Sequence, residues 1–411
     1  MKILIVTQYF WPENFKINDL ALRLKGRGHE ITVFTGMPNY PSGKIFPGWG
    51  PFKRLNDEWE GITIKRFPHF PRGKRKVLGM AANFVSFALL GSLFIPFRIK
   101  DQYDVIFVYE PSPVTVGIPA IVLKKLRNMP IVFWVQDLWP QTFEMVSGIK
   151  NSLVKKGVRK ISRFVHCASD RVLVTSKSFI PLIEKQGVEK ERIFHYPQSA
   201  EGFYRPLDNR PADKEEILPK GFRMTFAGNV GVSQSIDTIV KAASYTTSTP
   251  EIKWIIVGDG REMENVRSLI QRNGLSQTVF LLGRKPAKEM PEIFALSDVL
   301  LLTLKKDPVF SLTVPAKLQS YMACRKPILA AIDGETAEII SEANAGLCVA
   351  AEDAKGLAKA ALKMYLASAD ERTEWGANAH RYFKENFAPD VAVEILEKHL
   401  SRTMDTSVIK G

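Results

Sequence analysis

The chain has 411 residues, enough for two domains of ordinary size, and its 45% hydrophobic content is that of a folded globular protein. Lysine and arginine outnumber aspartate and glutamate by 57 to 43, and the net charge of +14 favours an anionic partner: nucleic acid, an anionic membrane face or a phosphorylated small molecule. Three widely spaced cysteines, Cys167, Cys324 and Cys348, argue against a disulfide framework and a zinc cage, and for a reducing compartment.

The first residues, MKILIVTQYFWP, hold an apolar run too short and too early for a secretory signal, so the protein is expected to stay where it is made. The β-branched run and the turn behind it predict a buried strand. The next loop, Glu13-Asn14-Phe15-Lys16, is either a solvated connection or, from its place at a strand end, part of a site. Leu20, Ala21 and Leu24 recur at helical spacing between Asn18 and Arg27, with Gly26 and Gly28 as the stop. Further strands are predicted at ITVFTG (31–36), ITIKRF (62–67), DVIFVY (104–109), IVFWVQ (131–136) and RVLVTS (171–176). Strands alternating with helix-length stretches predict a parallel, doubly wound α/β sheet. Asp137 stands at the carboxyl end of IVFWVQ, where a carboxylate serves either as a helix N-cap or as a group that orients a hydroxyl and takes its proton.

Between two of these strands Arg72, Lys74, Arg75 and Lys76 precede VLGMAANFVSFALLGSLFIPF (77–97), which carries no charge. At about 1.5 Å per residue it is long enough to span a bilayer. A single crossing would place neighbouring strands of one sheet on opposite sides of the membrane, so a helix at the interface or buried in the domain is expected instead. The flanking cations favour an anionic leaflet, while a helix apolar on all faces also suits a domain interior.

YPQSAEGFYRPLDNRPADKEEILPKG reads as linker and surface loop. The second half repeats the alternation, with strands predicted at FRMTFAG (222–228), IKWIIVG (252–258), TVFLLG (278–283), DVLLLTL (298–304) and KPILAA (326–331). Gly228, Gly258 and Gly283 end three of them, either as ordinary turn residues or as points where backbone approaches a ligand closely. In LTVPAKLQSYMACRKPILA (312–330), Pro315 opens a helix predicted over 313–324. Its free N–H groups and dipole make an anion site with Lys317 beside it, unless the helix start merely faces water. A final amphipathic helix is predicted over 389–404.

The chain resembles the GT-B-fold retaining glycosyltransferases of family 4 in LALRLKGRGHEITVFTG (20–36), VTSKSF (174–179), FAGNVGVSQSIDTIVKAA (226–243), IVGDG (256–260) and VPAKLQSYMACRKPILA (314–330). QYFWPENFKIND (8–19), VQDLWP (135–140) and PAKLQSYMA (315–323) are similar to the branch that transfers N-acetyl-L-fucosamine in bacterial O-antigen and capsule assembly. The resemblance implies two Rossmann-like, doubly wound parallel-sheet domains facing a central cleft. Residues 1–200 would bind the acceptor, residues 201–387 the nucleotide sugar, and a helix over 388–411 would pack back on the first domain. It implies a diphosphate lined by Val314, Pro315, Ala316, Lys317 and Leu318, with Lys317 assisting departure, and donor contacts from Gly228, Asn229, Gly231, Gly258, Arg284 and Ser320.

The chain also departs from that pattern. Phe310 and Ser320 stand where many members carry two glutamates, with Asp307 near the first, and Asn229 and Gln234 replace a basic pair, leaving Arg284 and Lys317 to carry charge. Asp137, Lys317 and Glu13 are the catalytic candidates. No carboxylate stands out as a nucleophile, so same-face substitution is expected, the leaving phosphate helping to deprotonate the acceptor. A lipid-linked acceptor would set its diphosphate against Arg72, Lys74, Arg75 or Lys76, with Lys16 nearby, and its lipid beside Phe84, Phe87 and Phe94. The six histidines show no paired ligand spacing and no Asp-x-Asp element occurs, so metal independence and no cofactor are expected. The expected partners are a nucleotide-sugar donor, that lipid-linked saccharide and the anionic cytoplasmic face of the inner membrane. No nucleic-acid-binding signature appears. A catalytically idle sugar-binding or scaffold protein of the same fold stays open, since fold does not fix activity.

Overall fold

The computed structural model describes residues 1–73, 76–143, 151–207 and 216–408. The chain divides into two compact units, residues 1–197 with 392–411, and residues 198–391.

The first unit is built on eight strands: β1 (Lys2–Thr7), β2 (Glu30–Thr35), β3 (Asn56–Trp59), β4 (Ile62–Arg66), β5 (Val105–Glu110), β6 (Ile131–Val135), β7 (Arg171–Val174) and β8 (Ile193–His195). Their order is β3-β4-β2-β1-β5-β6-β7-β8, and only β3 runs antiparallel to its neighbour. β5 and β6 are buried at every position, which is why they read as unbroken apolar runs rather than alternating ones. β3 and β8 escape sequence reading because NDEW is a short, mostly polar edge strand exposed at alternate positions and IFH is only three residues long. The last helix, Pro389–Val408, buries Ala392, Val393, Leu396 and Leu400 with Ile17, Leu20 and Leu24 of the helix Lys16–Gly26. Glu397 joins Arg27 at 2.7 Å and His29 at 2.8 Å.

The helix Lys76–Arg98 is the crossover from β4 to β5, two strands of one sheet. Its stretch Leu78–Arg98 is long and apolar enough to span a membrane by length and composition, with a mean hydropathy of 1.9. Here the structure corrects the expected lipid contacts. Phe87 is wholly buried, Phe84 is 8% exposed, and Phe94 is half-buried against Phe67. The apolar residues turned outward are Leu78, Val85, Leu89, Leu93 and Phe97, each more than half exposed. The segment carries no charge between Val77 and Phe97, and its polar residues Asn83 and Ser86 are buried, so polarity in the sequence does not mark the outward stripe.

The second unit has six parallel strands, β9 (Phe222–Ala227), β10 (Ile252–Val257), β11 (Val279–Gly283), β12 (Val299–Thr303), β13 (Ile328–Ala331) and β14 (Gly346–Val349), in the order β11-β10-β9-β12-β13-β14. One face packs Phe226, Trp254 and Val240, the other Leu300, Leu302 and Tyr321. Among the parallel strands of each sheet the order reverses once, between β1 and β5 and between β9 and β12. Open α/β sheets bind ligands outside the carboxyl ends of strands at such switch points.

Candidate functional site

At the second unit's switch point, β9 ends at Ala227 and the chain turns through Gly228 at φ +147°. Tyr321 of the helix Lys317–Ala323 grips this end: its hydroxyl accepts from the Ala227 N–H at 3.0 Å and donates to the Ala227 carbonyl at 3.3 Å. Lys317 lies four residues earlier on the same helix face. Its ammonium sits 4.0 Å from the centre of the Phe226 ring and donates to Oε1 of Gln234, and no carboxylate among the described residues offsets its charge. Burial lowers its pKa to about 7. A side-chain carbon at Gly228 would stand 2.4 Å from Cε of Lys317, so glycine here makes room for the lysine. Gly258, at φ +149°, serves a different approach: a side-chain carbon there would lie 1.8 Å from the Gly228 carbonyl, so two backbones meet where a ligand was expected.

Other members of the expected donor set are placed less favourably. The helix begins at Lys317 rather than near residue 313, and Pro315 precedes it in a turn closed by the Leu318 N–H on the Pro315 carbonyl at 3.0 Å. Leu318 is therefore spent twice, since its N–H is committed and its side chain is wholly buried in the core; Val314 is buried there too. Pro315 and Ala316 are partly buried. Ser320 turns its hydroxyl back to the Ala316 carbonyl at 3.3 Å, and Tyr204 bonds to it as well. Asn229 is exposed and Gly231 half-buried in the loop after β9. Arg284 follows β11, the edge strand, two strands from β9, and is exposed. Asp307, near the place of a missing glutamate, is an N-cap that accepts from the Val309 N–H at 2.8 Å.

The first unit's switch point collects carboxylates. Glu110, the last residue of β5, is completely buried, and its Oε2 accepts from the N–H groups of Gln136 and Asp137 at 3.1 and 3.4 Å. Its Oε1 is buried with no partner. Burial, and then the charge of Asp137, hold its pKa well above the usual carboxylate range. Burial raises Asp137 to about 7, against a hydrogen bond from Ser112 that lowers it. Two carboxyl groups so placed cannot both ionise easily near neutrality. Sequence reading passed over Glu110; the available signal was a lone carboxylate closing a fully apolar strand. Gln8, just beyond β1, donates from Nε2 to Asn83 at 2.6 Å and leaves Oε1 buried without a partner.

Glu13 is not in a solvated loop. It is 2% exposed, and its Oε1 accepts from the N–H groups of Asn39 and Tyr40 at 2.8 and 2.7 Å, which is the geometry of a loop brace. Burial raises its pKa to about 7 against those two hydrogen bonds. Arg72 lies 5.6, 5.3 and 5.5 Å from the ring centres of Tyr9, Tyr40 and Phe84, with Nε buried and unpartnered. Lys16 is half-buried at the start of its helix. Lys74 and Arg75 lie outside the described residues, as does the side chain of Lys76. Among the described residues no cluster of three His, Cys, Asp or Glu side chains forms a metal site.

Residues 17–197 match the family described as Glycosyltransferase Family 4, and residues 210–382 match Glycosyl transferases group 1. The chain carries both domains of a GT-B glycosyltransferase. It is 27% identical over 300 residues to WbjE of Pseudomonas aeruginosa, named as a glycosyltransferase, covering 71% of this chain and 73% of that one. It is 23% identical over 344 residues to WcaI of Escherichia coli K12, whose name assigns it to colanic acid biosynthesis, covering 79% and 81%. The crystal structure of Anabaena HepE with UDP and glucose superposes with a TM-score of 0.70 at 17% identity, over 98% of this chain and 99% of that one. At that identity the likeness is one of fold, and the fold is GT-B.

Proposed function

We propose that this glycosyltransferase moves a sugar from a nucleotide-diphosphate donor, UDP-linked, to a lipid-linked saccharide in surface polysaccharide assembly, with retention of configuration. The observation that carries the reading is Lys317. A lysine held over an aromatic ring at a strand-order reversal, with no carboxylate to neutralise it, is a site that lacks an anion. A nucleoside diphosphate supplies one, and its charge grows as the glycosidic bond to phosphate breaks, so Lys317 stabilises the transition state more than the bound donor. UDP in HepE supports the choice of nucleotide. The sugar we favour is N-acetyl-L-fucosamine, on the resemblance of residues 8–19, 135–140 and 315–323.

Within the first unit, Asp137 is the group for the acceptor hydroxyl. A carboxyl with a pKa near 7 exchanges a proton readily at neutral pH. It orients the attacking hydroxyl, and the departing phosphate helps to deprotonate it on the same face of the sugar. Arg72, among Tyr9, Tyr40 and Phe84, offers a guanidinium to the acceptor's diphosphate. The protein then works without a metal at the cytoplasmic face of the inner membrane, bound peripherally.

The test is a thermal-shift screen over nucleotide sugars followed by turnover with a lipid-diphosphate saccharide. A donor at 100 times its Kd adds about 2.7 kcal/mol of stability. Stabilisation by one UDP-sugar together with UDP release supports the reading. Stabilisation without turnover against any lipid-linked acceptor favours the idle sugar-binding protein suggested by the residues at 310 and 320.

A further inference from the structure

The helix Ser152–Ala168 lies apart from both switch points and has no part in the chemistry above. Asn151 caps it, accepting from the N–H groups of Leu153 and Val154 at 2.9 and 3.3 Å. Its sequence, SLVKKGVRKISRFVHCA, contains Lys155, Lys156, Arg159, Lys160 and Arg163 and no acidic residue. Three stripes run along it. Ser162, Val165 and His166 face inward, where the helix packs on the helix Gly117–Arg127. Leu153, Ile161 and Phe164, with Val154, form an outward apolar stripe at helical spacing, 76%, 38%, 48% and 40% exposed. Lys156, Arg159, Lys160 and Arg163 are exposed along the other side. A core helix has no use for the second stripe, and a merely solvated helix would not place four large apolar groups in water.

We propose that this helix is a membrane-docking element that lies flat on an anionic bilayer, its apolar stripe in the headgroup boundary and its cations on lipid phosphates. A large separation of apolar and basic residues without acid is the composition that such a position requires. A second copy of this chain is a poor occupant, because a twofold contact would set cations against cations. The helix Lys76–Arg98, with its exposed Leu78, Val85, Leu89, Leu93 and Phe97, packs on the same helix Gly117–Arg127. It supplies depth without exposed charge along that stripe, and Ser152–Ala168 supplies the electrostatic hold. The proposal deepens the reading of a lipid-linked acceptor by naming what brings the protein to the lipid, and it is tested without turnover.

The full chain is sedimented with vesicles of phosphatidylglycerol and, separately, of phosphatidylcholine. Three variants are compared: Lys156→Ala/Arg159→Ala/Lys160→Ala, Ile161→Ser/Phe164→Ser, and Leu89→Ser/Leu93→Ser. UDP-induced thermal stabilisation serves as the control for an intact second unit, and the melting temperature as the control for folding. We expect retention on phosphatidylglycerol over phosphatidylcholine, weakened roughly fivefold per cation removed, so on the order of a hundredfold for the triple variant. Both Ser152–Ala168 variants should lose retention while keeping their response to UDP. Equal binding to both vesicles, or wild-type retention by folded variants of Ser152–Ala168, overturns the proposal. So does loss confined to Leu89→Ser/Leu93→Ser, which would assign the membrane to the other helix, and so does capture of an acidic protein in place of lipid. If retention fails while a lipid-linked acceptor is still glycosylated, the docking element is wrong and the function stands.

Discussion

The two units share a parallel-sheet plan but differ in the charge gathered where their strand order reverses. The first holds a fully buried Glu110 beside a half-buried Asp137, and the second holds a half-buried Lys317. In each, an ionisable side chain is wholly or largely withdrawn from water without a full counter-charge, a state that costs stability and persists where a ligand completes it. On the proposed function the signs match the two halves of group transfer: a cation for the leaving diphosphate, carboxyls for the attacking hydroxyl. Topology alone thus marks the places, and the residue type at each place separates donor chemistry from acceptor chemistry.

The largest effect should come from the cationic side. Lys317→Ala should lower kcat and kcat/KM together by on the order of 10² to 10³, about 3 to 4 kcal/mol, as read by steady-state kinetics. Lys317→Met should be equally inactive yet melt higher than wild type, because it removes a buried charge that nothing neutralises and keeps the packing on Phe226. An active Lys317→Ala enzyme would erase the contrast between the two switch points.

Gly258→Ala tests the backbone arrangement behind that site. With a carbon 1.8 Å from the Gly228 carbonyl and φ at +149°, the loop must shift, at a cost of about 2 to 3 kcal/mol in denaturant unfolding, with UDP affinity falling as Gly228 is displaced. On the carboxylate side, Asp137→Asn should reduce kcat by roughly 10- to 100-fold, the value of one hydrogen bond to a charged group, with UDP affinity unchanged.

The smallest effect is in stability against pH. Asp137 and Glu13 have folded pKa values of about 7, raised above their unfolded ones. Between the unfolded values and 7 the native state holds more protons, so their contribution is full in acid and is lost as pH rises through about 7. Asp137→Asn should flatten that fall in melting temperature, gaining over wild type above pH 7 and little below the ordinary carboxylate range.

How much of this was legible follows from how locally each feature is written. The fully buried strands were readable because both faces are apolar, and Lys317 because a proline and a lysine stand together before a helix. Glu110 was not, since its meaning depends on β6 bringing the N–H groups of Gln136 and Asp137 to it. Glu13 reads in the sequence as a loop residue with a place in the site rather than as a brace, because the loop at Asn39 and Tyr40 that covers it is distant in sequence. Leu318 looked available because neither its turn to Pro315 nor its place in the core shows in the motif. The outward stripe of Lys76–Arg98 was invisible for a compositional reason: its polar residues Asn83 and Ser86 are buried, so polarity does not mark the solvent side.

The central claim is that Lys317 awaits a diphosphate. Calorimetry of UDP binding in buffers of different ionisation enthalpy, one pH unit above the lysine's pKa of about 7, measures it directly. The bound anion should return the amine to its charged form, so binding should take up close to one proton per UDP in the wild type and none in Lys317→Met, with wild-type affinity declining as pH rises further. UDP binding with no proton uptake, or with the same uptake in Lys317→Met, would contradict the assignment.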